Sequence, residues 1–178
     1  MALALTNLSD QPMPAGLGFH PFFARTAATR YRGLHRGEWH NSADCLPETL
    51  VLRESPHDWW QGSTVGARSV DTVYVQRDGP LSIDWPDRGL KLVMTPSANL
   101  AFTALYTPRG EDWFCVEPVS HMTDAVNRDG EGSGLVWLPP GETLSASLSL
   151  AVAQTGAVFA APRAMRSGDG PVTRSSRS

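Results

Sequence analysis

Residues 142–155, ETLSASLSLAVAQT, alternate apolar side chains with serine or threonine along most of the segment. Leu144, Ala146, Leu148 and Leu150 occupy every second position. In a β-strand this spacing places them on one face and the small hydroxyl side chains on the other, whereas a helix brings residues three and four apart together. The segment therefore predicts a long β-strand with one buried face.

The same period of two recurs elsewhere in the chain. LSIDW at 81–85 and GLKLVMT at 89–95 both place alternate apolar residues on one face. Further strand candidates are ALALTNL at 2–8, GLHRGEWH at 33–40, NLAFTALYT at 99–107 and DWFCVE at 112–117. Clusters of Gly, Pro, Asn and Asp separate them, and neither an amphipathic helix nor an internal repeat stands out. Many short strands joined by turns predict an all-β fold, an antiparallel sandwich or barrel.

The composition is that of one globular domain. Of 178 residues, 41% are hydrophobic and 19% are charged, which is enough apolar material for a substantial core. From about Ala161 onward Pro, Arg, Ser and Gly dominate, in APRAMRSGDGPVTRSSRS. Such a composition cannot bury enough apolar surface to fold. We therefore predict one β-domain over residues 1–160 and a disordered tail over 161–178.

Charge and cysteine usage exclude several classes of protein. The 18 acidic and 15 basic residues are interspersed and give a formal net charge of -3, so we expect no nucleic-acid partner. Cys45 and Cys115 are the two cysteines, without the paired spacing of a disulfide framework or a structural zinc site. The opening MALALTNL has no basic leader and too short an apolar run to be a signal peptide or a membrane span. These features predict a cytoplasmic protein without a membrane partner.

A glycine-rich stretch near the start fails as a nucleotide-binding loop. Gly16 and Gly18 form a G-x-G pair, but Pro21 occupies the third position of the dinucleotide fingerprint. No helix is predicted after it, although such a loop needs a helix N-terminus for the phosphates. We expect no dinucleotide here.

Histidines elsewhere in the chain do not form a metal motif. His35, Glu38 and His40 lie in one predicted strand, where His35 and His40 point to opposite faces. The spacing is not the helical H-E-x-x-H, so we interpret the three as a solvated strand face. His57 and His121 are single histidines in polar surroundings, and neither receives a role.

His20 in PAGLGFHPFF and Glu117 in DWFCVEPVSHMTDAVN share an unusual setting, because each follows apolar residues and precedes a proline. Proline keeps the preceding residue extended and donates no ladder hydrogen bond. Both side chains should therefore project where regular strand pairing stops, a common location for sites. From the residues alone, a core histidine and a rim acid in a turn explain the pattern equally well.

Three segments taken together favour a functional site over a core histidine and a rim acid. They are PAGLGFHPFF at 14–23, VDTVY at 70–74 and FCVEPVSHMTDAVN at 114–127. In this order they resemble the aldose 1-epimerases, or galactose mutarotases, particularly the bacterial branch with G-x-G-x-H-P-[YF]-F. The resemblance extends from about Leu3 to Val152. It implies a large antiparallel β-sandwich, an isomerase acting on a small-molecule sugar, and no metal or organic cofactor.

The resemblance also implies roles for three residues. His20 matches the family's general acid, Glu117 its general base, and Asp71 the aspartate that holds sugar hydroxyls. Exchanging two anomers requires opening the sugar ring, turning the aldehyde and closing the ring on its other face. A carboxylate that takes the anomeric hydroxyl proton and an imidazolium that protonates the ring oxygen suffice for this.

The chain departs from the family in length. Family members are longer, and the region before their catalytic histidine supplies further strands and substrate contacts, typically an arginine and a second histidine. We therefore expect this chain to correspond to a C-terminal portion, N-terminally truncated. At least some apolar strand faces, such as Leu81, Ile83 and Trp85, should then lose cover, which favours self-association or poor stability. The alternative to an enzyme is a noncatalytic carbohydrate-binding sandwich, or an inactive fragment of a mutarotase.

Overall fold

The computed structural model describes residues 1–53, 59–128 and 132–156. The tail predicted at 161–178, the last residues of the predicted domain and His57 lie outside these ranges. Within them, no helix has the length and apolar character required to cross a membrane. Both cysteines are described and both are free thiols.

The described residues form fourteen β-strands. They are β1 Ala2–Thr6, β2 Met13–Ala15, β3 Phe22–Ala24, β4 Arg30–Arg32, β5 His35–Asn41, β6 Pro47–Leu52, β7 Ser63–Thr64, β8 Asp71–Arg77, β9 Leu81–Trp85, β10 Leu90–Pro96, β11 Phe102–Tyr106, β12 Trp113–Val119, β13 Val136–Leu138 and β14 Thr143–Gln154. The described helical turns are three short 3-10 segments, Val65–Ala67, Pro86–Arg88 and Ala125–Asn127. The strands predicted from the period of two are confirmed.

The strands build two six-stranded sheets and one small pair. The first sheet has the order β1-β14-β10-β9-β4-β7, the second has the order β3-β12-β11-β8-β5-β6, and β13 pairs with β2. Every described pairing between these strands is antiparallel. The architecture is an antiparallel β-sandwich whose sheets do not close into a barrel.

The main core lies between the two sheets and draws on both. From the first sheet come buried residues of β4, β9, β10 and β14, and from the second come residues of β8, β11 and β12. They include Tyr31, Leu81, Ile83, Met94 and Leu148 on one side, and Tyr74, Leu105, Phe114 and Val116 on the other. Because Phe114 and Val116 point inward, the alternate residues of β12 point to the opposite face of the second sheet. We call this opposite face the outer face.

At least some of Leu81, Ile83 and Trp85 were expected to lose their cover, but Leu81 and Ile83 keep it. Leu81 and Ile83 are fully buried, and Trp85 is partly buried against the core. β9 is central in the first sheet, between β10 and β4, so its inward face is covered. The exposed apolar face lies instead at the end of β14, where Leu150 is 42% and Val152 is 70% exposed.

The interpretation of His35 as part of a solvated strand face is also wrong. His35 is buried, and its Nε2 atom lies 2.9 Å from the hydroxyl of Tyr31. Its ring also packs against Tyr74, at 4.9 Å between centroids. His35 lies opposite Arg77 of β8 in the sheet, and its side chain faces Tyr31 and Tyr74 of the main core. His40, five residues on, is exposed, as expected from the alternation.

Candidate active site

His20 and Glu117 meet at the surface of the second sheet. The Nε2 atom of His20 lies 3.3 Å from the Oε1 atom of Glu117. The histidine side chain is 58% exposed, whereas the carboxylate is only 14% exposed. The pair therefore joins a nearly buried carboxylate to an imidazole that solvent, or a ligand, can reach.

Backbone pairing between the glycine-rich segment and the end of β12 holds His20 in this place. The Phe19 N–H donates to the carbonyl of Pro118 at 3.0 Å, and the Ser120 N–H donates to the carbonyl of Leu17 at 2.8 Å. The Leu17 N–H in turn donates to the Ser120 hydroxyl at 2.9 Å. The chain before His20 thus runs beside the chain after Glu117, which brings the two side chains together.

The two glycines make this close approach possible. A Cβ atom at Gly18 would lie 2.7 Å from Cγ1 of Val119, and one at Gly16 would overlap the imidazole of His121. Real Cβ atoms essentially never approach other atoms so closely. The G-x-G pair therefore packs closely against other residues, Gly18 against Val119 at the end of β12 and Gly16 against His121. His121, to which the sequence pattern assigned no role, lies with its side chain directly against this surface.

An aromatic side chain, Phe22, covers one face of the His20 imidazole. The ring of Phe22 stacks on it, with 4.9 Å between centroids and 18° between planes. Phe22 also contacts Trp113, at 5.0 Å between centroids. Because Pro21 separates His20 from Phe22 and fixes the backbone locally, the stacked pair limits the orientations open to the imidazole.

Asp71 lies two strands away from Glu117 on the same sheet. It is the first residue of β8 and is paired with Tyr106 of β11, which is paired in turn with Cys115 of β12. Its side chain is exposed, and its backbone carbonyl accepts a hydrogen bond from the Asn41 amide at 2.6 Å. The structure thus brings all three predicted site residues to one region of the second sheet.

Burial and neighbouring charges set the acidity of this region. Burial raises the pKa of Glu117 above its ordinary value; the charge of His20 lowers this pKa, and that of Asp71 raises it further. Burial, together with the charge of Glu117, raises the pKa of the Cys115 thiol to about 11. Low polarity around Glu117 thus makes its carboxylate a stronger base than an exposed one.

Cys115 completes a group of potential metal ligands. Cys115 and Glu117 are two residues apart on β12 and share its outer face. Their ligand atoms and that of His20 all lie within 4.8 Å of one another. Cysteine spacing in the sequence does not indicate this group, because one ligand comes from the distant segment that carries His20.

A cavity of about 1000 Å³ has Val75, Phe102 and Met122 among its lining residues. Phe102 belongs to β11, which is next to β12 in the second sheet, and Val75 belongs to β8, the strand beyond β11. Neither His20 nor Glu117 lines this cavity. The cavity therefore does not include the pair, which solvent reaches through the exposed imidazole of His20.

Comparison with known proteins agrees with this architecture. The chain is 30% identical to the uncharacterized protein YphB of Escherichia coli K12 over 167 residues, covering 85% of this chain and 55% of that protein. The crystal structure of a candidate aldose 1-epimerase from Escherichia coli K12 superposes with a TM-score of 0.76 at 25% identity, covering 86% of this chain and 55% of the other. A galactose mutarotase-like protein from Clostridium acetobutylicum has the same fold, with a TM-score of 0.75 at 17% identity, covering 86% and 52%.

The chain thus spans about half the length of the relatives it matches. The model of the family described as aldose 1-epimerase matches residues 1–151. This match includes His20, Asp71 and Glu117 and nearly all of the described sandwich. The chain belongs to the aldose 1-epimerase family.

Proposed function

We propose that this protein interconverts the α and β anomers of a hexose or related sugar, with His20 as general acid and Glu117 as general base. One observation carries the proposal: the Nε2 atom of His20 lies 3.3 Å from the Oε1 atom of Glu117, at a solvent-accessible surface. The ring oxygen and the anomeric hydroxyl of a sugar are bonded to the same carbon. An acid and a base in mutual contact are close enough to serve both oxygens at once.

The proposed reaction consists of two proton transfers in each direction. Glu117 takes the proton of the anomeric hydroxyl while His20 donates a proton to the ring oxygen, and the bond between that oxygen and the anomeric carbon breaks. The aldehyde group turns, and the ring closes on its other face with the two roles reversed. No cofactor takes part in these steps.

The surroundings of the pair support this division of roles. The raised pKa of Glu117 brings its basicity closer to that of the groups it must deprotonate, which favours transfer near neutral pH. The exposed carboxylate of Asp71 on the same sheet is suited to accept hydrogen bonds from sugar hydroxyls. Phe22, stacked on His20, is 62% exposed and offers an apolar surface beside the acid.

A measurement of anomer interconversion by polarimetry tests the proposal. Glu117→Gln and His20→Ala should each lower turnover by roughly a hundredfold or more, the usual contribution of a general acid or base. Glu48→Gln and His40→Ala are matched controls, since both residues are exposed and neither belongs to the candidate site. Folded Glu117 or His20 variants with wild-type turnover would refute the assigned role.

A noncatalytic carbohydrate-binding function is the second candidate. It is favoured by the exposure of His20 (58%) and of Phe22, which stacks on it (62%), since an exposed aromatic surface can bind a sugar without catalysing a reaction. Sugar binding detected by calorimetry, without any rate above spontaneous mutarotation, would support this second function. Binding alone cannot accelerate the interconversion.

A further inference from the structure

We propose that His20, Cys115 and Glu117 form a binding site for a thiophilic divalent cation, best matched by Zn²⁺, and that the bound cation blocks anomer interconversion. The blocking effect rests on the function proposed above, whereas the cation site rests on geometry alone. The three side chains supply one nitrogen, one sulfur and one oxygen, all within 4.8 Å of one another.

The spacing suits a tetrahedral ion. Zn²⁺ binds imidazole nitrogen and carboxylate oxygen at about 2.0 Å and thiolate sulfur at about 2.3 Å, so tetrahedral ligand atoms lie roughly 3.3–3.5 Å apart. The Nε2 atom of His20 and the Oε1 atom of Glu117 already have this separation, at 3.3 Å. The Sγ atom of Cys115, within 4.8 Å of both, needs an approach of at most about 1.3 Å.

The elements that carry the ligands allow such an approach. Cys115 and Glu117 lie on β12, which is paired on both sides, by β11 and β3, and is therefore a rigid support. His20 lies outside the strands, and its side chain is 58% exposed. An ion can enter from the exposed side of the imidazole, and small side-chain rotations that keep the stacking on Phe22 supply the remaining approach.

Charge and ligand type favour a soft or borderline cation. A thiolate and a carboxylate together neutralise a divalent ion, and the thiol proton of Cys115 passes to solvent when the cation binds. Nitrogen and sulfur ligands disfavour Mg²⁺ and Ca²⁺, which require oxygen ligands. A fourth position remains for water, because three protein ligands are present.

The bound cation occupies the same atoms that the proposed reaction uses. With Nε2 of His20 and a carboxylate oxygen of Glu117 bonded to the ion, neither atom can donate or accept the required proton. Inhibition by Zn²⁺ should therefore be reversed by a chelator. Cys115 is needed for the cation but has no part in the proposed proton transfers.

Titration with Co²⁺ tests the cation site independently of activity. Tag-free, chelator-treated protein with a phosphine reductant should bind one Co²⁺ per chain, with a thiolate-to-cobalt charge-transfer band in the near ultraviolet that Zn²⁺ removes. Cys115→Ala should abolish the band, whereas Cys45→Ser, which removes the exposed thiol, should retain it. Glu117→Gln removes a direct ligand of the cation. It should therefore weaken Co²⁺ binding by at least the roughly 10–100-fold that is typical when a residue hydrogen-bonded to a metal ligand is replaced.

Absence of the band in wild-type protein, or its survival in Cys115→Ala, would overturn the cation site. Should Cys115→Ala fail to fold, Cys115→Ser provides the same test with a similar volume. Polarimetry tests the blocking effect: each variant is compared with its own zinc-free rate, and Cys115→Ala should be at least tenfold less sensitive to Zn²⁺ than wild type. A Cys115-dependent band in a protein without mutarotase activity would uphold the cation site and refute the proposed function.

Discussion

Gly16 and His121 are in such close contact that no side chain fits at residue 16, because a Cβ atom there would overlap the imidazole of His121. The contact lies at the start of the segment that carries His20. The three atoms nearest to a Cβ atom at residue 16 all belong to the His121 side chain. A smaller residue at position 121 can therefore relieve the overlap.

We expect Gly16→Ala to reduce turnover through displacement of this segment. A misplacement of about 1 Å in catalytic geometry can lower a rate by about a hundredfold, so a loss of about that size is expected in polarimetry. The double variant Gly16→Ala/His121→Ala should recover much of the activity, because it removes the overlapping ring. Gly156→Ala, with open space around the added methyl group, is the matched control. Equal activity of Gly16→Ala and wild type would show that this contact does not position His20.

Asp71→Asn should change substrate affinity more than turnover. A group that holds sugar hydroxyls acts alike in the ground and transition states, so KM should rise while kcat changes less. In addition, the charge of Asp71 raises the pKa of Glu117. Removing that charge should shift the acidic limb of the pH–rate profile to lower pH, because Glu117 then stays ionised in more acidic solution. Both effects are measurable by polarimetry with a chelator present.

Asp44→Asn is the control for this prediction, since Asp44 is exposed and is not among the groups that shift the pKa of Glu117. It should leave both KM and the acidic limb unchanged. An acidic limb that stays in place, or moves to higher pH, in Asp71→Asn would contradict the electrostatic assignment.

His35 should make the stability of the fold depend on pH. Burial, together with the nearby charge of Arg77, lowers the pKa of His35 from 6.5 to about 3. In the unfolded chain the group takes up a proton near its ordinary pKa, whereas in the folded protein it stays neutral until about pH 3. Its contribution to stability is therefore complete above about pH 6.5 and is lost as the pH falls toward 3, by at most about 1.4 kcal/mol per pH unit.

Denaturant unfolding at several pH values checks this expectation. His35→Gln keeps a hydrogen-bonding group near Tyr31 but does not titrate, so the free energy of unfolding should vary less between pH 6.5 and 3 than in wild type. His40→Gln, at an exposed position of the same strand, should retain the wild-type dependence. An unchanged slope in His35→Gln would disprove the prediction.

The end of β14 should promote self-association. Leu150 and Val152 are exposed, and β1 pairs with β14 only over its first part, from Thr143 to Ser147. Replacing both exposed residues by threonine keeps strand propensity and should raise the dissociation constant of self-association roughly tenfold or more, since burying one such side chain is worth about 1.5 kcal/mol or more. Light scattering coupled to size-exclusion chromatography measures the effect.

Val126→Thr is the matched control, because Val126 is an exposed apolar residue outside β14. It should leave the association unchanged. A wild-type protein that stays monomeric at high concentration, or an association equally strong after the β14 substitutions, would refute a role for this strand end.

The sequence predicts those strands that have one buried and one exposed face, because their apolar and polar residues alternate. β14, β9 and β10 alternate in sequence and were predicted from that alternation. β8 was not predicted as a strand, because Thr72, Val73, Tyr74 and Val75 are all buried and the strand has no polar face. The two- and three-residue strands, such as β7, are too short for any period to appear.

The site was predictable only in part for a similar reason. The residue types and following prolines singled out His20 and Glu117, and the family resemblance supplied their roles and that of Asp71. The support for His20 was not predictable, because the contacts of Gly16 with His121 and of Leu17 with Ser120 join distant parts of the chain. No local pattern in the sequence encodes such a contact.

The hydrogen bond from the Leu17 N–H to the Ser120 hydroxyl spans 103 positions in the chain, and this distance has a kinetic consequence. Contacts between distant residues require closure of a long loop, and proteins that depend on them fold slowly. His20 meets Glu117 only after that loop has closed, so no partly folded intermediate that lacks this pairing can hold the acid and base together. During refolding, sugar turnover should therefore appear no earlier than native tryptophan fluorescence, which makes catalysis a stringent reporter of complete folding.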